Sequence, residues 1–258
     1  MGEELREIQV NGRRAQPRRW LRPVLDLLYP PCCAACAVRT SDHSALCPAC
    51  WTQMRFIERP YCEVLGIPFS YDLGEGMLSA EAIASPPVFD RLRSVALHEG
   101  PARALVHGLK YRDRTDLAPM MAAWMRRAAG SHLEQCEAII PVPLHWTRLV
   151  LRRFNQAAEL ARALSRQSDR PLVVSALSRS KRTKRQVGLT AKAREENLRA
   201  AFKVAKGHEN EVFGKRVVLV DDVYTTGATV ASAARALKRA GATEVTVLTF
   251  AMALRQPI

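Results

Sequence analysis

Residues 217–230 read VVLVDDVYTTGATV, in which four apolar residues run into Asp221 and Asp222 and then into a turn of small and hydroxylated residues. The order is strand, acidic pair, tight loop, helix start. In open parallel sheets, ligands bind beyond the carboxyl ends of the strands. A turn of this kind aims backbone N–H groups and the hydroxyls of Thr225, Thr226 and Thr229 at one point. The positive end of the following helix adds to them, which makes a phosphate cradle. Gly227 lets the backbone approach the anion closely, and Ala228 leaves room for it. Asp221 and Asp222 cannot face that same anion. As acceptors they suit the vicinal hydroxyls of a sugar, with a divalent cation nearby to offset their charge. A phosphate on one side and a diol on the other describe a ribose 5-phosphate.

Outward from this stretch, helical and strand-like segments alternate. Apolar spacing of three and four predicts helices over 99–111, 115–130, 154–167 and 227–240. The last stops at Gly241, with Lys238 and Arg239 suited to its C-terminal dipole. Short apolar runs predict strands at EAIIPVPL (137–144), PLVVSAL (171–177), KRVVLVDD (215–222) and EVTVLTFAMA (244–253). Such alternation implies an α/β fold, a mostly parallel sheet with helices on both faces. The absence of GxGxxG after a strand and of GxxxxGK[ST] argues against a dinucleotide-binding domain and a P-loop ATPase. No internal repeat and no low-complexity tract is evident.

Six of the seven cysteines fall between residues 32 and 62, and CCAACAVRTSDHSALCPAC holds two CxxC pairs, Cys33/Cys36 and Cys47/Cys50. Two such knuckles present four thiolates to a tetrahedral zinc. With no open coordination position the metal is expected to be structural, supplying folding energy to a module too small for a core of its own. Cys32 stands at a less usual spacing from Cys36. Cys62 has no CxxC partner because Leu65 occupies that place, and Cys136 reads as a small buried hydrophobe. The expected organisation is a polar segment 1–26, a zinc-binding module 27–65, a Gly/Pro/Ser-rich linker 66–87 and the α/β domain 88–258.

Lys and Arg total 39 against 25 Asp and Glu, for a net charge of +14. That excess favours polyanionic partners, namely nucleic acid, phosphorylated small molecules or an anionic surface. No apolar window is long enough for a membrane span. The short run VLDLL after a polar start is unlike a secretory signal, so a cytoplasmic location is expected.

The 217–230 stretch resembles the phosphoribosyl pyrophosphate (PRPP) loop of type I phosphoribosyltransferases. By that resemblance Asp221 and Asp222 hold the ribose hydroxyls, and Thr225, Thr226, Gly227, Ala228 and Thr229 hold the 5-phosphate. The paired CxxC after LLYPPC, FDRLRSVALHEGPARALVHGLKYRDRTDLAP, PVPLHWTRLVLRRFNQAAELARAL and KRTKRQVGLTAKAREENLRAAF are similar to the ComF family of phosphoribosyltransferase-like competence proteins. Two departures stand out. The family often has a second CxxC where only Cys62 remains, so a second metal site is expected to be lost. It also commonly has Arg-Gly-Phe-Asn-Gln where this chain reads Arg152, Arg153, Phe154, Asn155, Gln156.

The resemblance implies PRPP and magnesium as ligands. The loop after PVPL lies at a strand's carboxyl end and brings Arg148, Arg152 and Arg153, each of which fits a pyrophosphate contact or an exposed basic helix start equally. Lys181, Arg182, Lys184 and Arg185 fit three roles equally: a lid over pyrophosphate, a single-stranded DNA contact, or a solvated charge run. His98, His107 and His145 lack partners at metal-ligand spacing and receive no role. Two functions remain open. One is a phosphoribosyltransferase with an unnamed acceptor. The other is a non-catalytic ligand sensor that acts in DNA uptake with single-stranded DNA and a competence helicase.

Overall fold

The computed structural model describes residues 29–72, 74–144, 154–179 and 201–254. The cysteine-bearing N-terminal part carries two short helices, α1 (Pro48–Thr52) and α2 (Ala80–Ala84). The larger part follows as β1 (Arg91–Leu97), α3 (Gly100–Tyr111), α4 (Ala118–Ala129), one-turn α5 (Ser131–Glu134) and β2 (Ala138–Pro141). It continues with α6 (Gln156–Ser168), β3 (Leu177–Arg179), β4 (Phe202–Val204), β5 (Arg216–Tyr224), α7 (Ala228–Arg239) and β6 (Glu244–Met252).

β1, β6, β5 and β2 form one sheet in that order, parallel throughout. Its strands are buried on both faces, which explains their nearly continuous Val, Leu and Ile. Alternation along β5 divides the core in two. Val218 and Val220 pack with Leu105 of α3, Met121 of α4 and Leu160 of α6. Val217 and Leu219 pack with Phe202 of β4 and Val230 and Leu237 of α7. Helices α3, α4 and α6 thus cover one face, and α7 with the antiparallel β3–β4 pair covers the other. Helix α6 starts where Asn155 accepts the N–H of Ala157 at 3.1 Å, and its amide donates to the Val142 carbonyl at 3.0 Å. That cap joins the helix to the end of β2.

Three segments differ from the sequence reading. PLVVSAL is not a strand: Leu172 makes one parallel bridge to Ile139, and the chain then turns toward β3. Pairing stops because β2 runs into Pro141 and Pro143, which have no N–H to offer. Second, β5 continues through Tyr224, so the acidic pair lies inside the strand rather than after it. Third, the 66–87 stretch contains α2, and buried Ala82 joins the main core. β1 and β4 are further strands that apolar runs did not reveal.

The N-terminal part covers the free edge of β1. Ile57 N–H donates to the Val95 carbonyl at 2.9 Å, Leu97 N–H to Arg55 at 2.9 Å, and Leu92 N–H to Val64 at 2.8 Å. An unpaired edge strand would otherwise be open to association. Arg93, 3% exposed, reaches across to Glu63 with its Nη2 2.7 Å from Oε2, over the ring of Tyr61. Trp51 of α1 meets Phe56 and Trp124 of α4 at centroid distances of 5.2 and 5.9 Å.

Candidate functional site

Asp221 and Asp222 lie near the carboxyl end of β5, where successive side chains point to opposite faces. Asp222 shares the face of Val218 and Val220 and meets α3, where Lys110 Nζ stands 2.7 Å from its Oδ1. Asp221 faces the α7 side and accepts the N–H of Asp222 at 2.9 Å. Burial pushes the Asp221 carboxyl up, the adjacent Asp222 charge adds to this, and the result is about 7. The Asp222 N–H and the charges of Lys110 and Arg179 act in the opposite direction without reversing it. The pair therefore divides its work, one carboxylate held by a lysine and the other inclined to keep a proton.

Sequence reasoning missed Lys110, which reads as an ordinary basic residue in the last turn of a helix. It also assigned nothing to His98. His98 follows β1, and its N–H donates to the Met252 carbonyl at 2.7 Å. Its Nδ1 is buried with no hydrogen-bond partner. Burial holds its pKa below the ordinary histidine value, and the charges of Lys110 and Arg103 reinforce that. The carboxyl ends of β1, β5 and β6 thus gather Asp222, Lys110 and the His98 imidazole. A signal for this lay only in topology: His98 and Lys110 are placed by β1 and α3, far from Asp222 in the chain.

The turn after β5 runs through exposed Thr225 and Thr226 to Gly227, which caps α7 in the left-handed region at φ 74°. No side chain caps this helix, so its first amides are open to an anion. Ala228 and Thr229 form the first turn. Glycine is favoured at 227, since the backbone there is left-handed and a Cβ would lie 2.6 Å from the Tyr224 hydroxyl. Gly227→Ala is expected to add roughly 1–2 kcal/mol of backbone strain and to push the Tyr224 ring aside. Affinity for a phosphorylated ligand should fall about tenfold, read by calorimetric titration; undiminished affinity would take the ligand phosphate away from this turn. Arg148, Arg153, Lys184 and Arg185 lie outside the described residues.

In the N-terminal part, the sulfurs of Cys33, Cys36, Cys47 and Cys50 all lie within 4.8 Å of one another, and no disulfide joins them. The Cys36 and Cys47 sulfurs are 3.7 Å apart, close to the roughly 3.8 Å edge of a tetrahedron with 2.3 Å zinc–sulfur bonds. Cys33 accepts the N–H of Cys47 at 3.3 Å, and Cys47, which caps α1, accepts that of Cys50 at 3.5 Å. Amide donors of this kind favour thiolates. The donor set fits a closed structural zinc. Cys32 turns away and donates to the Pro30 carbonyl.

A parallel sheet with an acidic strand end and an uncapped, glycine-entered helix defines a phosphoribosyltransferase-like protein, and residues 155–257 match the phosphoribosyl transferase domain family. Residues 24–83 match the double zinc ribbon domain family. Competence protein F of Haemophilus influenzae is 35% identical over 210 residues, covering 79% of this chain and 89% of that protein. The DNA utilization protein YhgH of Escherichia coli K12 is 32% identical over 229 residues, covering 86% and 96%. Competence protein ComFC of Bacillus subtilis is 38% identical over 103 residues, 40% of this chain and 39% of that protein. The chain belongs to the ComF family.

Proposed function

We propose that the protein binds PRPP or a related phosphoribosyl ligand at the carboxyl end of β5 and works in the cytoplasmic handling of incoming DNA. The observation that carries the binding reading is the uncapped turn at Gly227, placed beside an acidic pair on a parallel sheet. The 5-phosphate would take the amides of Ala228 and Thr229 and the hydroxyls of Thr225 and Thr226, and Asp222 would accept from the ribose diol. Magnesium would arrive with the ligand. Asp221 and Asp222 would hold it together with oxygens of the ligand itself. Bound there, it would neutralise the departing pyrophosphate.

Transfer from PRPP breaks the bond between C1 and pyrophosphate while positive charge grows on the ring. The chain's part is to orient the sugar and place Asp222 beneath that charge. A second, non-catalytic reading is favoured by one observation: Lys110 already neutralises Asp222, so the site holds its charge balance before any metal enters. The DNA-uptake context rests on the names of the relatives, competence and DNA utilization proteins. A net charge of +14 agrees with single-stranded DNA as a partner, and a helicase partner rests on the family resemblance alone. The described residues include no helix long and apolar enough to cross a membrane.

Incubation with PRPP and magnesium against a panel of bases and nucleic acids tests both readings. Pyrophosphate release with one acceptor identifies a transferase. Stoichiometric PRPP binding without release identifies a sensor. Failure to bind PRPP overturns the proposal.

A further inference from the structure

Residues 61–82 repeat the build of residues 32–50 without most of its ligands. In the first unit Cys32 bridges Arg39, Cys33 N–H donates to the Val38 carbonyl at 2.7 Å, and Ala37 N–H returns to the Cys33 carbonyl at 3.0 Å. In the second, Tyr61 bridges Pro68, Cys62 N–H donates to Ile67 at 2.8 Å, and Gly66 N–H returns to Cys62 at 2.8 Å. The residue after each second ligand position, Ala37 or Gly66, is left-handed, at φ 63° and 61°. The second halves agree as well. The Cys33 sulfur accepts the N–H of Cys47, whose sulfur caps α1 by accepting that of Cys50. The Cys62 sulfur accepts the N–H of Ser79 at 3.2 Å, and the Ser79 hydroxyl caps α2 by accepting that of Ala82 at 3.3 Å.

The correspondence assigns Cys62, Leu65, Ser79 and Ala82 to the places of Cys33, Cys36, Cys47 and Cys50. The first two pairs are 29 residues apart (33 to 62, 36 to 65) and the last two are 32 apart (47 to 79, 50 to 82). The halves of the second unit are therefore three residues further apart than those of the first. Only one thiol survives of four ligands. Leu65 and Ala82 have no lone pair to give, and the Ser79 hydroxyl is neutral and already committed to Ala82.

What stands where the metal would be is packing. Cys62, Leu65 and Ala82, at 0%, 4% and 5% exposure, belong to the large core that includes Leu92, Leu219 and Val247. Cys33, Cys47 and Cys50 form a small group of their own, separate from that core. The second unit lies so close to β1 that a Cβ on Gly66 would stand 2.5 Å from the Leu92 carbonyl oxygen. Its fold is therefore held from outside, by β1 and by the Glu63–Arg93 ion pair. The first unit meets the rest of the protein only through partly buried residues such as Ala34 and Leu46 and through exposed Trp51, and is expected to need the metal.

We infer that residues 61–82 are a second ribbon whose metal centre has been replaced by apolar packing against β1, so that the chain holds one zinc rather than two. This holds whether or not the phosphoribosyl reading is correct. Elemental analysis and native mass spectrometry of the full chain should give about one zinc per chain. Cys62→Ala should keep that zinc and remain folded by circular dichroism. The variant Leu65→Cys, Ser79→Cys, Ala82→Cys, which restores four thiols with Cys62, should take up a second zinc. Two zincs in the wild-type chain, zinc loss in Cys62→Ala, or a folded triple variant that still binds one would overturn the inference. Should the triple variant not fold, the wild-type and Cys62→Ala contents decide it.

Discussion

Asp222→Ala is expected to lower PRPP affinity by roughly a hundredfold or more, because the charge-assisted bonds of a buried carboxylate to ribose hydroxyls are worth about 1.5–3 kcal/mol each. The structure adds a second effect that the acidic motif alone did not foretell. Lys110 and Asp222 are both largely buried and lie 2.7 Å apart. Removing the carboxylate strands an ammonium group in a poorly solvated place, at a cost of about 2–4 kcal/mol of stability. The double variant Lys110→Met, Asp222→Ala should recover most of that stability and none of the PRPP affinity. Calorimetry and urea unfolding on the two variants separate the effects. Wild-type PRPP affinity in Asp222→Ala would remove the ribose assignment. An unchanged unfolding midpoint would show that the ion pair contributes nothing to the fold.

Cys33→Ala should abolish zinc binding and unfold the first ribbon while leaving the sheet intact. Zinc contributes about 10–16 kcal/mol of apparent free energy in small zinc-finger peptides, and three thiolates no longer close the site. The three buried cysteines make a group separate from the main core, and residues 33–50 reach that core only through partly buried side chains such as Ala34 and Leu46. Limited proteolysis should cut within that region only. Trp51 would leave Phe56 and Trp124, which a fluorescence comparison with Trp51→Phe can follow. The sheet should still melt in one cooperative step, since its two clusters lie on either side of β5 and β6. Loss of that step along with the zinc would show that the ribbon is an integral part of the domain.

Some of this was legible without coordinates. Four apolar residues before two aspartates, then T-T-G-A-T, carry their meaning in consecutive positions, and so do two CxxC pairs at close spacing. The helices α3, α4, α6 and α7 follow from three- and four-residue apolar spacing. PLVVSAL misled because its composition suits a strand, while its would-be neighbour β2 runs out of N–H donors at Pro141 and Pro143. β1 was obscured by Arg91, Arg93 and Ser94, polar residues that are tolerated there. Arg93 has Glu63, Arg91 pairs with Glu244, and the Ser94 hydroxyl lies 2.6 Å from that of Thr249.

The amino-acid order by itself determined the acidic strand end with its glycine-entered turn, the paired CxxC knuckles of the first ribbon and the α/β alternation, because each is written in neighbouring residues whose backbone bonds are local. Tertiary structure alone decided that Lys110 neutralises Asp222, that the Nδ1 of His98 is buried without a hydrogen-bond partner, and that Ser79 and Ala82 take the places of the last two ligands. Those outcomes depend on which surfaces meet when α3 and the second ribbon close on the sheet. Burial, not sequence distance, sets the energy of a charge or a thiol once water has been excluded.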